Sequence, residues 1–315
     1  MSFVVSLDFE LMWGLRDHHT KETYGKNVLG ARDAIPKILE LFRKYDIRAT
    51  WATVGFLFCE TKEELLNFSP EIRPTYENRS LSNYEYFNEV GENEKLDPYY
   101  FGASLLKVIS SYPGQEISSH SFSHYYCGEP GQTVEQFDAD MAAAVAVAKH
   151  RGLEFKSFVF PRNQFSVRHL DVLIKHGIYS FRGNEVNWLS SLKETNPFST
   201  IFKRMVRLTD SYFDLTGSNS FEPSLINSAV NVPASRFLRP YSNRLSALEG
   251  LKLARILNSM TIAAKSQRCF HIWWHPHNFG ARTGLNIFIL EQILEHFTFL
   301  RSTLNWQSRN MADFL

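Results

Sequence analysis

Short apolar runs that alternate with amphipathic stretches along most of the chain predict an α/β barrel built from βα units. Two further observations agree with it. A length of 315 residues suits one barrel domain with insertions, and 44% hydrophobic residues, with 14% aromatics, supply a large buried core.

The strands are expected at Phe3 to Asp8, Ala49 to Val54, Glu116 to Ser119, Ser157 to Phe160, Tyr179 to Arg182 and Cys269 to Trp274, each an apolar run of strand length. Between them, Ala31 to Tyr45, Thr133 to His150, Ser166 to His176, Leu245 to Lys265 and Leu285 to Leu304 repeat apolar residues at i, i+3, i+4 and i+7, the pattern of helices packed by one face. Two insertions break the rhythm, at about 60–115 and 185–240. Both exceed an ordinary βα loop, so the first reads as a lid or a small excursion and both as candidates for substrate specificity or as decoration of the barrel. The expected unit is a single domain over 1–315.

Lysine and arginine number 34 and acidic residues 33, for a net charge of +1, so the chain lacks the basic field of a nonspecific nucleic-acid binder. Nucleic acid is not an expected partner. Residues 60–97 carry ten acids and four bases, which leaves the remainder positive and suited to an anionic substrate or simply to a solvated face. Cys59, Cys127 and Cys269 are odd in number and lack CxxC spacing, which predicts reduced thiols in the cytoplasm. The opening MSFVVSLDFELMWG reaches Asp8 without a basic region or cleavage site, so no signal peptide or spanning helix is expected.

Four constellations carry chemistry. Asp8 and Glu10 stand at i and i+2 where a strand ends, so they share a face at the mouth of the barrel. His120 and His124 follow another strand at i, i+4, and one helical turn would turn both imidazoles the same way, as two metal ligands require. In HIWWHPHNF, His271 lies on the strand and reads as a core residue. His275 and His277 reach its exit, where Trp273 and Trp274 would desolvate them, and an imidazole titrating near neutrality suits a general acid. Arg162, in SFVFPRNQF, reads either as a clamp on a carboxylate or as a surface arginine.

In this order, SLDFE, ATWATVGF, HSFSH, FPRN and WHPH resemble the sequence blocks of the polysaccharide deacetylases, the NodB-homology group of carbohydrate esterase family four. The resemblance implies a distorted (β/α)7 barrel and a metal-dependent hydrolase that removes an N-acetyl or N-formyl group from an amino sugar, a C–N bond outside a peptide. It implies a divalent metal, Zn2+ or else Co2+, Ni2+ or Mn2+, on Glu10, His120 and His124. Asp8 becomes the general base, Arg162 its positioning residue and His275 the general acid, with His277, Asn163 and Trp274 at the substrate. His277 is an additional histidine that shares or replaces the role of His275, and Asp171 and Glu185 are candidates for the acid that orients the acid histidine.

The missing export signal and the two insertions favour a smaller, cytoplasmic substrate in glycan or lipopolysaccharide assembly, carried on a nucleotide or on a lipid phosphate at the inner face of the membrane. Lys203, Arg204, Arg207, Arg236 and Arg239 suit such a phosphate, and the aromatic-basic stretch Phe198 to Tyr212 is a candidate for peripheral contact with a bilayer, a partner or the barrel itself. Two other readings stay open: hydrolysis of a non-sugar amide, and a metal-free barrel that only binds a glycan.

Overall fold

A computed structural model describes residues 1–189 and 197–315; the remainder of the second insertion, 190–196, and the side chains of 197–199 lie outside it. In chain order the regular elements are β1 (Ser2–Phe9), α1 (Lys21–Tyr45), β2 (Ala49–Thr53), α2 (Lys62–Phe68), α3 (Ala103–Ser111), β3 (Gln115–Ser119), α4 (Val134–His150), β4 (Ser157–Val159) and α5 (Leu170–Lys175). There follow β5 (Ser180–Arg182), α6 (Pro197–Asp210), β6 (Ser224–Ile226), β7 (Ala229–Asn231), β8 (Arg236–Phe237), α7 (Glu249–Lys265), β9 (Phe270–Trp274), α8 (Thr283–Leu304) and β10 (Gln307–Arg309).

The sheet runs β6-β7-β5-β4-β3-β2-β1-β9-β8, and β10 extends the foot of β1. Apart from the β6–β7 hairpin, every pairing is parallel. The circle closes through residues 229–238, which hydrogen-bond β5 from Val232 and Ala234 and β9 from Ser235 and Leu238. Taken as one bent strand, this segment makes the seventh stave, so the expected (β/α)7 barrel is the observed one. Alternation then sorts side chains: Phe3, Val5, Leu7 and Phe9 pack towards the helices in the main core, while Val4, Ala52, Val159 and Val232 fill the inside of the barrel.

The predicted strands and helices fall on observed elements, with ends shifted by a few residues except in α1. That helix starts ten residues earlier than its apolar period, at Lys21, because Thr20 caps it reciprocally with Thr23. The first insertion packs in part on the barrel. Tyr84, Phe87, Tyr100 and Phe101 join the main core, and Arg16 donates to the carbonyls of Ser80 and Leu81. The second insertion contains α6 and the β6–β7 hairpin, neither of which its mixed aromatic-basic pattern announces. Among the described residues no helix is long and apolar enough to cross a membrane.

Candidate active site

Asp8 and Glu10 leave β1 on one face, and both are buried. Arg182, at the end of β5, reaches across the barrel to Asp8 with two parallel bonds, Nη1 to Oδ1 at 2.7 Å and Nη2 to Oδ2 at 2.7 Å. The same two Nη groups also meet Ser6 Oγ at 3.0 Å and Asn163 Oδ1 at 3.0 Å, and the guanidinium lies 4.2 Å over the Trp273 ring. Burial opposes ionisation of Asp8, but the charge and hydrogen bonds of Arg182, with His120 and His275 beside it, hold its carboxyl below the ordinary value. Behind Arg182, Ser6 Oγ lies 2.8 Å from His271 Nε2, whose Nδ1 donates to the Val232 carbonyl. Burial and the neighbouring Arg182 charge push His271 down to about 3, so it is a neutral core residue, as its place on the strand predicts.

The HSFSH segment is not a helical turn. Ser121 and His124 adopt left-handed backbone, φ 61° and 60°, a conformation that costs a side-chain-bearing residue of order 1–3 kcal/mol unless the surroundings hold it. Asp140 on α4 does so: its carboxylate accepts the backbone N–H of Phe122 at 2.7 Å and of Ser123 at 3.1 Å, and the Ser123 hydroxyl. The loop so folded turns both imidazoles towards Glu10, with His124 Nε2 3.1 Å and His120 Nε2 3.5 Å from Oε2. Burial opposes charge on Glu10, yet His275, His120 and His124 together hold it well below its ordinary value.

These three residues fit a divalent cation. One ligand atom from each lies within 4.8 Å of the others, and His124 Nε2 is buried with no well-formed hydrogen bond. His120 Nδ1 donates to the Val159 carbonyl at 2.8 Å and His124 Nδ1 to the Tyr126 hydroxyl at 3.2 Å, the outer contacts that leave each Nε2 lone pair for a metal. Gly14 makes room for the glutamate, since a Cβ there would overlap the Glu10 carboxylate.

His275 closes the site from β9, its Nε2 3.4 Å from Glu10 Oε1 and 3.9 Å from Asp8 Oδ2. Its orienting partner is neither Asp171, exposed on α5, nor Glu185. Asn278 Oδ1 accepts from His275 Nδ1 at 3.3 Å, and Asn278 is itself held by Tyr24 at 3.3 Å. The loop keeps this geometry because Gly280 packs on α1 at Gly30, where neither position has space for a Cβ.

Three expected roles change. Arg162 does not touch Asp8: with Arg162 and Asn163 both left-handed (φ 55° and 54°), the chain turns after Pro161 and sends the guanidinium to Asp17 and Glu129. Asn163 stays at the site through its bond to Arg182. Trp274 is fully buried against Phe42 and Phe279, because strand alternation puts Trp273, not Trp274, on the face of His275. His277 is buried behind His275, ring centroids 4.9 Å apart, and burial and the His275 charge push it down to about 3. Arg182, Asn278, Tyr126 and Gly14 escaped the sequence reading, which had Trp273 only as a ring that desolvates a neighbouring imidazole. The one signal for Arg182 was an arginine ending an apolar strand, in step with Ser180 on the barrel face.

Before His275 a cleft of about 440 Å³ is lined by Trp273, Phe237, Asn163 and Glu185, and by Arg162, Lys203, Arg207 and Arg239. Of the five basic residues expected to meet a phosphate, Lys203, Arg207 and Arg239 line it. Arg204 points to solvent, and Arg236 is buried in a pair with Asp210 at 3.0 Å.

The family model for polysaccharide deacetylases matches residues 24–181. That span, half of the chain, holds His120, His124, Asn163 and strands β2 to β4, while Asp8, Glu10, Arg182 and His275 join them only in space. Solved structures agree in fold. A protein assigned as a polysaccharide deacetylase in Mycobacterium smegmatis superposes with a TM-score of 0.60 at 11% identity, covering 99% of this chain and 88% of that one. One assigned likewise in Pseudomonas aeruginosa PAO1 gives 0.54 at 11% identity, covering 99% and 88%, and the PuuE allantoinase gives 0.53 at 12%, covering 99% and 87%. No curated protein matches the sequence. With its barrel, its paired imidazoles after β3 and the family match in agreement, the chain belongs to the polysaccharide deacetylase family.

Proposed function

We propose that this chain is a metal-dependent N-deacylase that removes an acetyl or formyl group from an amino sugar in cytoplasmic glycan or lipopolysaccharide assembly, and that it works as a single barrel unit with two insertions. The observation that carries the reading is the convergence of Asp8, Glu10, His120, His124 and His275 at one mouth, with Glu10 and the two imidazoles inside 4.8 Å of one another. Glu10, His120 and His124 would hold the metal, Zn2+ or one of Co2+, Ni2+ and Mn2+, which when bound would supply Lewis acidity to a water and to the acyl carbonyl.

The protein's own groups do the rest. Asp8 accepts the proton of the attacking water at Oδ2, the oxygen nearer His275, and Arg182 keeps that carboxylate ionised and aimed. His275 gives a proton from Nε2 to the leaving nitrogen, which cannot depart as a free anion, while Asn278 fixes Nδ1. The C–N bond breaks as the new C–O bond forms, and the products are a free amine and acetate or formate. Lys203, Arg207 and Arg239 in the cleft favour a sugar carried on a nucleotide or a lipid phosphate, the latter met by peripheral contact with the inner membrane face.

Metal analysis of the purified chain, with hydrolysis of N-acetyl and N-formyl sugars in free, nucleotide-linked and lipid-linked form, tests this. About one ion per chain is expected, with turnover lost in Asp8→Asn while the ion stays. Turnover confined to ureides, the substrate type of the allantoinase that shares the fold, would replace the sugar by a non-sugar amide. A chain that holds no metal and hydrolyses nothing would leave only a glycan-binding barrel.

A further inference from the structure

Among the described residues, nothing covers the outer face of α6. Ile201, Phe202, Met205 and Leu208 are 56%, 50%, 63% and 40% exposed, and their spacing of three and four residues gathers them into one stripe. Beyond the helix, the Trp188 indole is also half exposed and donates to the Leu215 carbonyl at 3.0 Å. Contiguous exposed apolar surface of this kind marks a contact with something less polar than water.

The exposed charged side chains that α6 itself carries are basic. With successive residues turned by about 100°, Arg204 borders the stripe, and Arg207 and Lys203 follow round the helix into the active-site cleft. At the C-terminal end of the stripe, a second cavity of about 410 Å³ is lined by Leu208 and Tyr212 together with Arg239, Arg244 and Arg282, and no acidic side chain lines it. Fourteen residues make a helix roughly 21 Å long, with aromatic and aliphatic side chains outward and arginines along its edge. These are the features of a helix that lies in the plane of a membrane interface.

We infer that α6 seats the mouth of the barrel on an anionic lipid bilayer, the apolar stripe entering the acyl boundary while the flanking arginines meet lipid phosphates. Docked so, the cleft that Lys203 and Arg207 line opens at the level of the headgroups. A sugar on a lipid phosphate then reaches His275 without leaving the membrane, a consequence that rests on the deacylase reading, whereas the docking does not.

The test is co-sedimentation of the full chain with vesicles of phosphatidylcholine alone and with about one third phosphatidylglycerol, beside the variants Ile201→Glu/Met205→Glu and Arg204→Glu. Wild type is expected to bind the anionic vesicles at least about tenfold more tightly than the neutral ones, and each variant to lose about tenfold or more. Metal content, thermal unfolding and hydrolysis of a water-soluble N-acyl sugar should be unchanged in both variants. Absence of binding to anionic vesicles, or a double variant that binds like wild type, overturns the docking. A wild-type dimer dissolved by the same substitutions would then give the stripe to a second copy of the chain. Vesicle binding without any sugar hydrolysis would defeat the deacylase reading and leave the docking standing.

Discussion

Arg182 grips Asp8 through both carboxylate oxygens at 2.7 Å, and neither side chain meets solvent to any extent. The pair ties β5 to β1 across the barrel and, in the proposed reaction, keeps Asp8 charged to accept a proton. Arg182→Gln would leave the carboxylate buried without its cation, at a cost of about 3–5 kcal/mol. Urea denaturation should register that loss, and adding Asp8→Asn should recover at least about 1 kcal/mol of it, since the two residues act as one unit. Equal and additive losses would show that the contact contributes nothing beyond its parts.

Metal affinity should respond to residues that never touch the ion. Tyr126→Phe removes the acceptor that holds His124 Nδ1, and Gly14→Ala pushes a methyl group into the space of the Glu10 carboxylate. Isothermal titration with zinc is expected to find each weakened by about 10- to 100-fold.

Removing the ion should also cost stability. At a free concentration of about 100 Kd a ligand confined to the native state contributes about 2.7 kcal/mol, so a chelator should lower the unfolding midpoint of wild type. In His120→Ala the chelator should have no effect.

Acid should weaken the fold through its buried neutral histidines. Burial holds His271 at about 3 and His169, which packs edge-on against Phe137, at about 4. Both lie below the unfolded value of about 6.5, so the native state binds fewer protons. The stabilisation is complete above about pH 6.5 and is lost as pH falls towards those native values. In chelated protein, His169→Gln should reduce the slope of stability against pH between about 6 and 4.5 by up to one proton, about 1.4 kcal/mol per pH unit. An unchanged slope would mean that His169 titrates alike in both states.

Charge in the cleft should appear in KM. Arg207→Ala removes a cation from the cleft wall, and a charge-assisted hydrogen bond contributes about 1.5–3 kcal/mol. KM for a phosphate-bearing N-acyl sugar should rise about tenfold or more, and that for the neutral sugar should hardly move. Equal effects on both substrates would remove the phosphate from the reading.

Much of the barrel and part of the site were legible in the linear chain because they rest on local periodicity. Alternation puts Asp8 and Glu10 on one face wherever β1 lies; applied to HIWWH, the same rule aligns Trp273 with His275, against the substrate role that the family resemblance gave Trp274. Arg162 and Arg182 both end predicted strands, however, and nothing local distinguishes them. The choice fell to the left-handed turn after Pro161, and to the sheet order that sets β5 across the barrel from β1. The orienting partner of His275 was sought among acids and is an amide three residues on, brought round by the close packing of Gly280 on Gly30.

The amino-acid sequence alone therefore determined which segments become strands and helices and which carboxylates and imidazoles stand at strand ends, since these follow from hydrophobic period and side-chain chemistry. Which arginine holds Asp8 and which face of α6 stays bare were decided by the folded chain, because each depends on contacts between residues far apart in sequence, and a side chain's partner is set by where the barrel closes.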